Sequence, residues 1–352
     1  MKILYGVVGE GMGHAMRSRV VLEHLVRQGH DVHVMASQRA VEYLAKRFSS
    51  VQRIHGLNII YEENRVRRGK TLWGNVKDGL LALPGQIRAY FELLERFRPD
   101  VVVSDFESWT YLFAKAHGLP VYSVDNIQMI NRCRHDAEIR GADRGGFEVA
   151  RAFVKSKLPH CDHYLITTFY YPGIRKDRTS LYPPILRSEM LAAEATAGDH
   201  LLVYQTAEGN DALAGALEAS GRECRVYGMR RDIQEEQREG NVRYLPFSET
   251  QFIADLASAH AVVAGGGFTL MGECVYLHKP MLATPVGGQF EQTLNSMYLE
   301  REGYGKFAEE VNGPVLGAFL DAVPDYAKAL ERYEQDGNKR LLTALDGFLL
   351  SA

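Results

Sequence analysis

Residues Ala261–Asn295, AVVAGGGFTLMGECVYLHKPMLATPVGGQFEQTLN, constrain this chain more tightly than any other segment. They read as strand, glycine turn, helix, strand and polar loop. Val262 and Val263 close a short apolar strand, and Gly265, Gly266 and Gly267 permit a tight turn. A helix opening near Phe268 and Thr269 offers unpaired N–H groups and the positive end of its dipole, which suit a phosphate. Glu273 stands about one and a half turns in, where a carboxylate outside the core can accept from ribose hydroxyls. Lys279-Pro280 breaks the helix, Met281–Thr284 is the next strand, and Gly287–Gln292 follows with Gln289, Glu291 and Gln292. Ligands of open α/β sheets sit in the loops beyond the carboxyl ends of strands. The whole series suits a phosphorylated nucleotide ligand; close helix–strand packing accounts for the glycine triplet alone equally well.

The amino terminus repeats the scheme. Lys2–Val8 reads as a strand, and Gly9-Glu10-Gly11-Met12-Gly13-His14 opens a helix that runs to about Gln28. The G-x-G-x-G spacing is wrong for a dinucleotide site, and no acidic residue ends the second strand, Asp31–Ser37. A histidine at a helix start is kept neutral by the dipole, ready to take a proton. A surface capping residue is the plainer reading of His14. Asp105 ends the strand Val101–Asp105, where its carboxylate emerges at a strand end or serves as N-cap for a helix beginning near Ser108.

Strands and helices alternate throughout, which argues for parallel sheets. Further strands are expected near Ile54–Tyr61 and at Val121–Val124, His163–Thr167, His200–Tyr204, Glu223–Tyr227, Val242–Pro246 and His260–Ala264. Helices are expected at Met16–Arg27, Ala40–Phe48, Gly85–Phe97 and Ser108–His117, with one helical pattern over Tyr326–Leu350. At 352 residues the chain exceeds one usual core. Tyr182-Pro183-Pro184-Ile185-Leu186 reads as an extended connector. It divides a first domain, 1–181, from a second, 188–335, leaving 336–352 as a terminal helix.

The order Gly267, Glu273, Pro285, Glu291-Gln292, Asn295 resembles the donor-binding signature of GT-B glycosyltransferases of the MurG-like and UDP-glucuronosyltransferase-like groups, of family 28/1 type. The GEGMGH opening resembles the glycine loop and histidine that begin those enzymes. Two departures stand out: Gly265 where many members carry His, and Leu270, beside Thr269, where a phosphate-binding Ser or Thr is usual. The resemblance implies an α/β GT-B fold, two Rossmann-like doubly wound domains facing a cleft, with the last helix crossing back to the first. It implies an inverting hexosyl- or N-acetylhexosaminyl-transferase using a nucleotide-sugar donor, most readily a UDP-sugar. His14 would be the general base, Asp105 its orienting partner, and the glycines of the first loop, Gly13 among them, would admit the donor phosphates. Thr206, after Tyr204-Gln205, matches a phosphate loop in place, and Phe247 presents an apolar side to the base. Glu10, Asp125 and Asn126 fall on the acceptor side, although a strand-end turn explains Asp125-Asn126 as well. No D-x-D motif ends a strand, so no metal or other cofactor is expected. A UDP-sugar hydrolase or epimerase on the same fold, or a non-catalytic nucleotide-sugar-binding partner, are the alternatives.

Composition places the chain in a compartment and limits its partners. No apolar run approaches the length of a membrane span, the opening MKILYGVVGEG reads as a strand rather than a signal peptide, and four scattered cysteines form no C-x-x-C pair. These point to the cytoplasm. Residues 1–180 carry 27 Lys and Arg against 19 Asp and Glu, a net of +8, whereas the remainder nets −11. Two basic stretches, Arg65–Lys77 and Arg132–Lys157, lie in the positive part; a solvated face explains them, and so does contact with an anionic inner membrane surface bearing a lipid-linked or small-molecule acceptor. Nucleic acid is not expected, since the overall charge is −3 and no stacking motif is present.

Overall fold

The computed structural model describes residues 1–9, 11–55, 61–62, 65–66, 90–140, 144–205, 211–230 and 233–352. The chain forms two compact units, the first from Met1–Glu62, Val66–Arg187 and Asp336–Ala352, the second from Glu63–Arg65 and Ser188–Gln335. Short runs of β-branched and aromatic residues make the strands. In the first unit these are β1 (Lys2–Val7), β2 (Asp31–Ala36), β3 (Val51–Arg53), β6 (Val101–Asp105), β7 (Val121–Asp125), β8 (His163–Thr167) and β9 (Thr179–Tyr182), with β4 (Tyr61–Glu62) and β5 (Arg65–Val66) as a separate two-stranded sheet. The large sheet has the order β3-β2-β1-β6-β7-β8-β9, and every neighbouring pair is parallel. The chain winds outward from β1, then crosses to β6 on its other side, so the topological switch point lies between β1 and β6. Val7 pairs in register with Asp105, which sets the loop after β1 level with that carboxylate.

Helix α1 (Met12–Arg27) packs Val21, Leu22 and Leu25 against Ile3, Tyr5 and Val7 of the sheet. The closing helix Lys339–Leu350 adds Leu341, Leu345 and Leu349 to the same core. His24 Nε2 lies 2.8 Å from Asp346 Oδ1, and Tyr122 donates to the carbonyl of Phe348. The chain therefore returns to its first unit after completing the second.

The second unit holds β10 (Leu201–Tyr204), β11 (Cys224–Tyr227), β12 (Gln237–Glu239), β13 (Val242–Leu245), β14 (Ala261–Ala264), β15 (Met281–Ala283) and β16 (Gly305–Phe307), in the order β12-β13-β11-β10-β14-β15-β16. Only the edge strand β12 runs antiparallel to its neighbour. Its switch point lies between β10 and β14. Among the described residues no helix is long and apolar enough to cross a membrane.

One expectation is corrected, and two fall partly outside the described residues. A strand at Val51–Arg53, paired with Val34–Ala36, precedes the stretch expected near Ile54–Tyr61; there Ile54 and His55 are irregular, 56–60 lie outside the described residues and Tyr61 opens β4. The helix expected at Gly85–Phe97 is described only from Tyr90, and its last five residues, Leu93–Phe97, wind as a π-turn. The single pattern over Tyr326–Leu350 is two helices, Val323–Leu330 and Lys339–Leu350. Gly337 and Asn338 both adopt positive φ between them, which a continuous helix does not allow.

Candidate active site

In the first unit a candidate site grows from the β1–β6 switch point. Gly9 comes so close to the loop after β2 that a Cβ would lie 2.2 Å from the Ser37 carbonyl oxygen, and its N–H donates to Ser37 Oγ at 2.8 Å. Only glycine fits there. Gly11 takes φ +83° and leads into α1, whose first turn holds Gly13, half-buried, and His14. His14 is 8% exposed and Asp105 is fully buried, with Nδ1 2.8 Å from Oδ1. Arg17 Nε and Ser18 Oγ each donate to Asp105 Oδ2 at 2.8 Å, and Arg17 Nη2 donates to Oδ1.

Electrostatics follow from this packing. Burial works to raise the Asp105 carboxyl, but the Arg17 guanidinium and the His14 ring outweigh it and hold the group at about 2. Burial lowers the His14 imidazole, and the Arg17 charge lowers it further against the pull of Asp105. A neutral ring beside an ionised carboxylate is the state of a proton acceptor.

Asp105 is not a helix cap. Helix Ser108–His117 is capped by Glu107, which accepts from the N–H groups of Trp109 and Thr110 at 2.7 Å. Phe106, between the two carboxylates, sits at φ +55°, a costly conformation for an aromatic residue, and this turn is what frees Asp105 from the helix. Asp125 accepts from Ser123 Oγ and from the Gln128 N–H at 2.7 Å, closing its own strand-end turn, and burial raises it to about 6. Asn126 is fully buried in the same turn. Glu10 lies outside the described residues.

The second unit has a candidate site of its own, after β14. Gly267 precedes the helix Phe268–Tyr276 with no side-chain cap, which leaves the helix start to backbone amides. Phe268 is buried and Thr269 half-buried. At Gly266 a Cβ would lie 2.4 Å from the Gln292 carbonyl oxygen, whereas at Gly265 it would make ordinary contacts. Helix Phe290–Arg301 begins at Gln289 and is fastened to this turn. Asn295 Nδ2 reaches the Gly266 carbonyl at 3.4 Å and Glu291 Oε1 at 3.5 Å. Gln292 Oε1 accepts from the Val286 N–H at 3.0 Å, so this side chain shapes the β15 loop from within. Glu273, expected outside the core, is only 3% exposed. Phe247 is 59% exposed, its ring 6.0 Å from that of Phe252, which also packs on Tyr204 and Tyr227. Thr206 lies outside the described residues.

Residues 1–324 match the family described as Glycosyl transferase family 1. The chain belongs to that family. It is a glycosyltransferase, and its two α/β units are those of the GT-B fold. It is 26% identical to the UDP-N-acetylglucosamine–N-acetylmuramyl-(pentapeptide) pyrophosphoryl-undecaprenol N-acetylglucosamine transferase 1 of Bacillus thuringiensis, over 96% of this chain and 93% of that protein. The structure of MurG from Acinetobacter baumannii is similar, with a TM-score of 0.62 at 13% identity, covering 98% of this chain and 99% of that one. So is Phytolacca americana UGT2, complexed with UDP-2fluoro-glucose and pterostilbene, with a TM-score of 0.65 at 15% identity and 98% of both chains covered.

The structure of this glycosyltransferase adds Arg17, Ser18 and Glu107 to the residues named from the sequence. A signal for two of them was present: positions 14, 17 and 18 share one face of a helix. The basic stretch from Arg132 to Lys157 is not one charged surface. Arg132 is buried against the Tyr164 ring, 3.6 Å from its centroid, and donates to Thr179 Oγ1, while Lys157 is buried over Phe106. Of the other stretch, 67–77 lies outside the described residues.

Proposed function

We propose that this glycosyltransferase moves a sugar from a nucleotide diphosphate donor, most readily a UDP-sugar, to an acceptor hydroxyl with inversion and without a metal. The observation that carries the reading is the buried His14–Asp105 pair, 2.8 Å apart, at the switch point of the first sheet. In the proposed step, His14 Nε2 takes the proton of the acceptor hydroxyl as its oxygen bonds to the anomeric carbon. The bond to the diphosphate breaks from the opposite face, and its electron pair leaves with the nucleotide. Backbone amides at the start of helix Phe268–Tyr276 neutralise the leaving charge, the task a metal performs elsewhere.

Several features support a nucleotide-sugar donor. The exposed Phe247 ring offers a face for a base; the ribose role of Glu273 rests on its spacing from Gly267. The Bacillus relative is named for UDP-N-acetylglucosamine and the Phytolacca structure contains a UDP-sugar. The same relative's undecaprenol-linked substrate, with the net +8 of residues 1–180, supports a lipid-linked envelope precursor as acceptor, met at an anionic membrane face. The test is incubation with UDP-, dTDP- and GDP-sugars, with and without a panel of hydroxyl acceptors that includes polyprenyl-diphosphate glycans. Release of nucleoside diphosphate that requires an acceptor is expected; equal release of free sugar without one would make the protein a hydrolase.

A further inference from the structure

Asp105 is a shared anchor. Its oxygens meet four donors: His14 Nδ1 and Arg17 Nη2 at Oδ1, Arg17 Nε and Ser18 Oγ at Oδ2. The planar fork of Arg17 fixes the plane of the carboxylate, which a single point charge would not do. Arg17 Nη2 also lies 2.6 Å from His14 Nδ1. That nitrogen has two arrangements open to it. It can donate to Asp105, leaving the lone pair on Nε2, or accept from Arg17, with the hydrogen on Nε2.

We propose that Arg17 is a positioning residue for His14, orienting the Asp105 carboxylate that anchors the ring and holding a fixed positive charge against Nδ1. This rests on His14 being the base in the reading above. A second proton on the ring would sit beside the guanidinium, so Arg17 adds to burial in keeping the imidazole neutral, and Asp105 opposes both. The other groups facing this set are Lys157, from helix Arg144–Lys157, which acts on His14 in the same sense as Arg17, and Tyr5 of β1 and Asp125 of β7, which face Asp105. Arg17 therefore extends the active form toward acid pH. Without it, only burial and the more weakly acting Lys157 oppose the pull of Asp105 on the imidazolium, and the acid limb of activity moves to higher pH.

The experiment follows His14 by 15N NMR in nucleotide-free, histidine-labelled full-length protein, the signal assigned with His14→Gln. Wild type, Arg17→Gln and Arg17→Lys are compared. The His14 midpoint is expected to rise in Arg17→Gln. In Arg17→Lys, which keeps the charge and loses the fork, the balance of Nδ1–H and Nε2–H forms is expected to change. The acid limb of UDP release from UDP-N-acetylglucosamine, measured with the acceptor panel, should move with the midpoint. If Arg17→Gln does not fold, Arg17→Lys alone decides through its tautomer balance. An unchanged midpoint and tautomer balance in folded variants overturns the role of Arg17. A midpoint that rises while the acid limb stays in place upholds Arg17 and removes His14 as the base.

Discussion

Asp105 and Glu273 are both carboxylates with almost no contact with water, yet their surroundings give them different work. Asp105 is fully committed to donors from α1, so its ionised form is part of the fold. With a folded value of about 2 against 3.8, it contributes roughly 2 kcal/mol of stability above pH 3.8, lost as the pH falls toward 2. His14, lowered by burial and by Arg17, acts in the same direction, its contribution whole above the unfolded value near 6.5 and lost as the pH falls from there through the lowered folded value. Asp105→Asn should therefore flatten the acid side of the stability curve relative to wild type, as urea unfolding from pH 7 to pH 3 would show. A constant difference between the two proteins across that range would mean that Asp105 is not held ionised by its neighbours. Glu273 belongs to the donor reading. Glu273→Gln keeps the shape of the buried side chain while removing the charge, so UDP affinity should fall about 10- to 100-fold, the worth of a hydrogen bond to a charged group, with little change in melting temperature. Calorimetry that finds UDP bound as tightly as before would take Glu273 out of the site.

The glycine turns are where the two motifs become structure, and they do not all serve one purpose. Gly266 is forced by the backbone of helix Phe290–Arg301, whereas Gly267 has open space around it and an ordinary φ of −66°. Gly266→Ala should cost about 1–3 kcal/mol through overpacking, and Gly267→Ala close to nothing in the unliganded protein. Thermal unfolding of the pair decides this; equal losses would show that the turn is not shaped by Gln292. The strand–glycine–helix order after β1 and β14 was legible because apolar runs ending in glycine leave few folds open. So was the position of Asp105, since VVVSD is a buried strand with a polar end. What stayed hidden depends on geometry the linear chain does not carry. Glu107 took the capping role because Phe106 adopts positive φ, and Arg17 entered the site through helical spacing that its charge alone would have assigned to solvent. Asn338 breaks what reads as one apolar helix: its side chain exchanges two hydrogen bonds with the backbone of Leu186 at 2.9 and 2.8 Å.

At the scale of the molecule, each unit is a largely parallel sheet with its own switch point, and the two switch points are proposed to carry separate chemical functions. The first presents a neutral histidine on a buried carboxylate, the second a glycine turn and a helix start suited to a diphosphate. Because the amides are proposed to carry the leaving charge, EDTA should leave turnover unaltered; activity abolished by chelation and restored by magnesium or manganese would require a metal bridge. The division of labour itself is tested most directly by His14→Ala, measured for both turnover and donor binding. With saturating acceptor, turnover should fall about 10²- to 10⁴-fold, the usual worth of a positioned base, while the Kd for UDP-sugar changes less than about threefold. A variant that keeps near-normal turnover, or that loses donor affinity in step with it, would contradict the account.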